Sequence, residues 1–285
     1  MAISKPYIIG ESINDSVPST HTLFESGDTE ALCRLAREQE ELGAAYIDVN
    51  VGMKSAEFLA ETARAVQSAV SVPLSIDSPD PAMAEAGLAV CDPSRGLPIL
   101  NSISPLRLEM FEIYAKYKFR PILLISEGLF DGQARACRTA EETYEAAQFM
   151  LAEARKVGIP NGDLLFDPGI APIGSDGEGN LARLLKAMEL IQVDPEFQGI
   201  HYSVGLSNFT VMLPPRRKDG SPIKSDLESA FLTRAMPLGL DHVIGSVKRN
   251  YRMLDETHPA LQCLDDCVRL GGFESIMRVR DFYTK

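Results

Sequence analysis

The chain has 285 residues, 45% of them hydrophobic and 24% charged, the composition of an ordinary globular protein with material for one large core. A formal net charge of −12 argues against nucleic acid or an anionic membrane as partner, because phosphate binding draws on clustered Lys and Arg. Five scattered cysteines (Cys33, Cys91, Cys137, Cys263 and Cys267) lack the spacing of a disulfide framework and suggest a reducing, cytoplasmic setting. No window reaches the ~20 apolar residues of a membrane span, and no long apolar run follows Met1 to Pro6, so neither an anchor nor a leader is expected.

Short apolar runs alternate with longer amphipathic stretches along the chain. Residues 6–10 form the first run, which ends in Glu11. Asp28 is placed to cap a helix that stops at Gly43. A β-branched run at residues 45–50 precedes a stretch at 55–70 in which Phe58, Leu59, Ala63 and Val66 recur at helical spacing. Residues 72–76 read as a strand and 81–88 as a short helix with proline in its first turn. The rhythm continues with a strand at 97–100 and a helix at 106–117, then a strand at 121–125 and a long helix from Thr139 to Gly158. Strands at 164–166 and 201–204 are followed by helices at 180–191 and 226–238, and a weaker strand at 241–244 by a helix at 260–270.

Strict alternation of apolar strand and helix predicts a parallel sheet wrapped in helices. About eight such units in a chain of this length favour a closed (β/α)8 TIM barrel, a single domain over residues 1–285, above an open doubly wound sheet. The open sheet would want a Gly-x-Gly-x-x-Gly turn after the first strand, and Ile9-Gly10-Glu11-Ser12 is not one.

Barrel enzymes place their chemistry at the C-terminal ends of strands and in the loops that follow. That rule picks out Glu11, Asn14, Asp48, Asn50, Asp77, Ser78, Asn101, Ser102, Ser126, Glu127, Asp167, Ser207 and Asn208. Any one of these aspartates could be an ordinary helix cap, yet the same chemistry recurs after nearly every strand. No lysine ends a strand, which counts against Schiff-base chemistry. No two of His21, His201, His242 and His258 stand at metal-ligand spacing, so no metal site is assigned, although a carboxylate-only magnesium site stays compatible with the ring. Cys263 and Cys267 share a helical face with no second pair and read as packing; His201 begins a strand and belongs to the stability face.

A ring of Asp and Asn suits a flat heterocycle with amidine-like donors. One carboxylate accepts two parallel hydrogen bonds from an N–C–NH₂ edge, and an asparagine reads a lactam edge with one donor and one acceptor. A pterin presents both edges.

The segments around these strand ends resemble the pterin-binding methyltetrahydrofolate:corrinoid methyltransferase family, which includes tetrahydrofolate methyltransferases of acetogenic and of betaine and methylamine demethylation systems. The resemblance lies in Ile9-Gly10-Glu11-Ser12-Ile13-Asn14, Ile47-Asp48-Val49-Asn50-Val51-Gly52, Ser75-Ile76-Asp77-Ser78, Ile99-Leu100-Asn101-Ser102-Ile103-Ser104, Leu165-Phe166-Asp167-Pro168 and Val204-Gly205-Leu206-Ser207-Asn208, in family order over most of the chain. It implies a dihydropteroate-synthase-like barrel with Asp77, Asn101 and Asp167 on the pterin ring and Asn208 near N5. Gly205, Ser207 and, by a looser match, Arg216 complete the folate contacts. Glu11, Asn14, Asp48, Asn50 and Ser102 form an outer set. Ser12 departs from the pattern, since many relatives carry a basic residue there.

The resemblance further implies methyl transfer between N5 of tetrahydrofolate (5-methyltetrahydrofolate when charged) and the cobalt of a corrinoid, with Asn208 strengthening its hydrogen bond to N5 in the transition state. The corrinoid is expected on a partner protein, because Asp241-His242-Val243-Ile244-Gly245 fails the Asp-x-His-x-x-Gly ligand motif. A homodimer belongs to the same expectation, and the direction of transfer stays open. Two rivals stand beside it: a dihydropteroate synthase-like enzyme, which would need basic residues after the sixth and seventh strands, and a non-catalytic folate-binding module.

Overall fold

The computed structural model describes residues 5–284, so Met1 to Ser4, part of the stretch read for a leader, lie outside the described residues. Eight parallel strands close a barrel: β1 (Tyr7–Asn14), β2 (Ala44–Asn50), β3 (Leu74–Asp77), β4 (Ile99–Ile103), β5 (Arg120–Leu124), β6 (Leu165–Asp167), β7 (His201–Gly205) and β8 (Leu240–Gly245). Each pairs with its neighbours in sequence, and β8 returns to β1 with Tyr7 opposite His242 and Gly10 opposite Gly245. Closure leaves no open sheet edge. The expected (β/α)8 architecture is met.

The helices follow their caps. Asp28, Ser55, Asp80 and Thr139 each accept a backbone N–H at the start of Thr29–Glu41, Ala56–Ala69, Pro81–Leu88 and Ala140–Lys156. Their apolar faces and the outward faces of the strands form the main core, with Phe119, Phe166, Phe209 and Phe231 fully buried. Cys263 and Cys267 are buried in Pro259–Leu270, against the C-terminal helix Gly272–Thr284.

Several elements depart from the sequence reading. The stretch expected as a helix at 106–117 is a 3-10 helix, Leu108–Ala115. The helix expected at 226–238 is Lys224–Ala235 followed by the 3-10 turn Met236–Leu238, where proline removes a backbone donor. Pro18–Ser26 is a further helix that buries only Thr20 and Phe24, too few apolar residues for a periodicity to register. An antiparallel hairpin, Glu127–Phe130 with Gln133–Ala136, follows β5. Its Asp131-Gly132 turn has positive φ at both residues, the two-residue hairpin signature that the sequence did carry.

The barrel interior is layered. Ile9, Ile99, Ile122 and Leu165 form an apolar plug, with Tyr46 and Ile244 packed against it. Side chains alternate across a strand, so the residue two positions further on shares the inward face. Those residues are Glu11, Asn101, Leu124 and Asp167, and Tyr46 likewise leads to Asp48. The plug is the floor on which a polar ring stands.

Candidate active site

Above the plug opens a cavity of about 880 Å³ at the C-terminal ends of the strands. Glu11, Asn14, Asp48, Asp77, Asn101, Asp167, Gly205, Ser207 and Asn208 all line it, as expected from their strand-end positions. Asn50, Ser102 and Arg216 do not. Asn50 supports a lining residue: its Nδ2 donates to Asp77 Oδ2 at 2.8 Å, while its Oδ1 accepts the Gly52 N–H at 2.8 Å. Ser102 follows Asn101 in β4, at a register shift in the pairing with β5, and its side chain is outside the lining. Arg216 is exposed in a turn, donating to the Gly220 carbonyl at 2.7 Å and bridging to Pro222.

The ring is densely acidic. Asp48 is buried, accepts from Ser75 Oγ at 2.6 Å, and is held well above the usual carboxylate range by burial first and then by Asp77. Burial also raises Asp77, against the pull of the Asn50 amide. Asp167 is pushed up to about 6 by burial; the Gly169 N–H, donating to Oδ1 at 2.8 Å, and Arg183 oppose the rise. Gly169 adopts φ +71°, and a Cβ there would lie 2.4 Å from Ser126 Cβ, so only glycine fits the turn after β6. Buried Arg183 secures that turn by donating to the carbonyls of Pro168 and Gly169 at 3.0 and 3.3 Å.

Asn208 sits on a four-residue helix, Leu206–Phe209, directly after β7. Its side chain is exposed to the cavity and makes no hydrogen bond among the described residues, so the amide is free to meet a ligand. Gly205 leaves it room: a Cβ there would stand 2.8 Å from Asn208 Nδ2. Beside it Ser207 Oγ donates to Glu11, whose carboxyl burial raises.

The strand-end rule passed over Lys248, which lines the cavity from the loop after β8 and pairs with Glu38 at 2.8 Å. It also passed over Val17 and Thr20 of the unexpected first helix region, which form part of the rim. Asn14 turns toward its own loop, accepting from Ser16 N and Oγ at 2.9 and 2.7 Å, the local turn a strand-end Asn makes in many proteins.

His201, Asp241 and His242 gather at the opposite, N-terminal end of the barrel, where three potential metal-ligand atoms lie close together. Asp241 accepts from both imidazoles, at 2.5 and 2.7 Å on Nδ1. Arg120, which only donates, lies 3.2 Å from His242 Nε2, so that nitrogen is the acceptor and Nδ1 carries the hydrogen. That tautomer leaves no lone pair on Nδ1 for a cation. The cluster is a hydrogen-bonded base beneath the plug, in line with the stability face expected of His201.

A closed βα barrel whose strand ends carry a converging polar cavity defines a small-molecule barrel enzyme. The sequence matches the family model described as pterin binding enzyme over residues 13–245, and the chain belongs to that family. It is 27% identical over 249 residues to the methylcorrinoid:tetrahydrofolate methyltransferase of Eubacterium limosum, covering 83% of each chain. The fold is similar to the dihydropteroate synthase of Xanthomonas albilineans with 4-aminobenzoic acid (TM-score 0.59, 20% identity, 93% of each chain covered). It is similar also to that enzyme's complex with 7,8-dihydropteroate (TM-score 0.56, 17% identity, 93% and 94% covered).

Proposed function

We propose that this chain is a methyltransferase that moves a methyl group between N5 of tetrahydrofolate and the cobalt of a corrinoid carried by a partner protein. The observation that carries the reading is the convergence of Asp77, Asn101 and Asp167 on one cavity into which the unpartnered Asn208 amide projects. Asp167 and Asp77 would accept the paired N–H groups of the aminopyrimidinone, and Asn101 would read its lactam edge. These groups hold the ring and bring N5 beneath the cavity mouth, which is positioning rather than chemistry.

Asn208 has the reactive part. N5 of methyltetrahydrofolate is a poor leaving group as an anion, and an amide N–H that bonds it more tightly as charge develops lowers the barrier. In the other direction N5 attacks the methyl group and sheds its proton, and the amide is within the same reach. We read the physiological direction as methylcorrinoid to tetrahydrofolate, following the printed name of the Eubacterium limosum relative. A cytoplasmic homodimer goes with this reading.

Dihydropteroate synthesis fits less well. Expelling pyrophosphate calls for cations at the mouth, and among the described residues lining the cavity Lys248 is the single basic one, already paired with Glu38. Purified protein mixed with cob(I)alamin and methyltetrahydrofolate, and in the reverse sense with methylcobalamin and tetrahydrofolate, tests the assignment by the cobalt absorption bands. Exchange in either direction supports methyl transfer. Tight folate binding without exchange, even with a corrinoid protein supplied, would identify a binding module instead.

A further inference from the structure

Behind the cavity wall lies a second buried polar group that the reaction as described does not use. Glu228, on the helix Lys224–Ala235, is fully buried. One of its oxygens accepts from Thr210 Oγ1, and the other lies 3.3 Å from Arg249 Nε without the alignment of a hydrogen bond. The Tyr251 hydroxyl, also buried and unpartnered, packs so close to Gly245 that a Cβ there would stand 2.8 Å from it. A fully buried carboxyl is costly to keep in an apolar surround, so its place invites a functional account.

That place is specific. Thr210 is the residue at which the Leu206–Phe209 helix ends, and Ser207 lies near its start. Ser207 is bound by Glu11 and Thr210 by Glu228, with Asn208 between the two anchors. A four-residue helix has too few backbone bonds of its own to stay rigid. We propose that Glu228 is a positioning residue: through Thr210 it fixes the far end of the turn that presents Asn208, while Glu11 fixes the near end through Ser207. The role of Asn208 in that statement rests on the methyl-transfer reading above; the anchoring of the turn does not.

The groups that face Glu228 are Thr210, Arg249, Glu11, Lys224 and Tyr251. Burial pushes its carboxyl up to about 7, against the pull of Thr210, Arg249 and Lys224 and with the repulsion of Glu11. Above that value the ionised carboxylate accepts from Thr210 and attracts Arg249; below it a proton occupies one oxygen and the attraction to Arg249 is lost.

The test combines three variants of the full-length protein with two readouts. Thr210→Val removes the donor with little change of shape, Thr210→Ser restores it, and Glu228→Gln removes the charge while keeping an acceptor. Thr210→Val is expected to lower kcat about 10-fold or more, with KM for the folate within about twofold, and Thr210→Ser to recover most of the loss. The wild type is expected to lose kcat as pH drops through about 7, and Glu228→Gln to lose that dependence. Amide hydrogen exchange over residues 206–212 is expected to quicken in Thr210→Val and to stay unchanged in the rest of the barrel. Unchanged exchange there overturns the proposal whatever the enzyme's reaction, as does a wild-type kcat in Thr210→Val. Exchange that quickens throughout the molecule also overturns it, by showing a structural role only. If the wild type transfers no methyl group, the functional reading falls and the exchange result alone decides the anchor.

Discussion

Asn50 Nδ2 lies 2.8 Å from Asp77 Oδ2, so a side chain that does not line the cavity helps to orient one that does. Asn50 is itself held by the Gly52 N–H, which would make the pair a firm mount for the pterin edge in the proposed site. Asn50→Ala is expected to leave the fold intact and weaken folate binding by up to about 10-fold, since a side-chain hydrogen bond contributes about 0.5–1.5 kcal/mol. Calorimetric titration with methyltetrahydrofolate measures this, and an unchanged Kd would remove Asn50 from the site.

On the proposed reading, Asp167 sets the pH dependence of folate binding. Burial has moved its carboxyl up to about 6, so it is mostly ionised at neutral pH and takes up a proton as pH falls through 6. In the proposed site the ionised form would accept the two N–H groups, and folate affinity is therefore expected to fall on the acid side of about pH 6. Asp167→Asn should bind weakly and lose that dependence. A wild-type affinity flat from pH 7 to 5 would contradict the role.

Gly205 tests the placement of Asn208 without touching it. A methyl at this position would collide with Asn208 Nδ2 at 2.8 Å and turn the amide away. Gly205→Ala is expected to slow methyl transfer more than about 10-fold, about 1.4 kcal/mol in the barrier, while folate affinity changes little. Loss of folate binding in parallel with rate would show that the glycine shapes the whole pocket rather than one side chain.

The acidic ring is a burden on the ligand-free protein. Asp48 is raised by burial and by Asp77, so its favourable state is the protonated one, fully present below the ordinary aspartate range. That contribution disappears as pH rises through the raised value, which leaves the free protein weaker at neutral pH. Asp48→Asn is expected to raise Tm at pH 7 by a few degrees, roughly 2–4 °C for each kcal/mol recovered in a domain of this kind. The gain should shrink as pH approaches 4. A lower Tm at pH 7 would mean that the Ser75 hydrogen bond outweighs the burial of charge.

The sequence displayed the ring because a barrel strand alternates, and its last inward residue faces the cavity: Leu165 in the plug leads to Asp167 on the rim, Ile99 to Asn101. Local rules reached that far. The same rule could not tell Asn50, which bonds Asp77 without lining the cavity, from Asp48, which lines it, because the two share the inward face of β2. Glu228 and Tyr251 were invisible for another reason. Glu228 sits in a helix away from any strand end, and only the packing of Lys224–Ala235 against the Asn208 turn brings it to the site, while Tyr251 lies in the loop after β8 with nothing local to mark its hydroxyl against Gly245. Arg216 shows the reverse, a match in the sequence that the chain folds into an exposed turn. The Asp131-Gly132 hairpin carries its own local signal, a two-residue turn set inside the barrel's regular strand–helix rhythm.

The central claim is that Asn208 assists methyl transfer at N5, and a comparison of wild type with Asn208→Ala tests it most directly. With cob(I)alamin and saturating methyltetrahydrofolate, the wild type should lose the cobalt(I) band as methylcobalamin appears. Asn208→Ala should do so more than about 10-fold more slowly, with folate affinity retained, because only a transition-state hydrogen bond is gone. Equal rates for the two proteins would contradict the account.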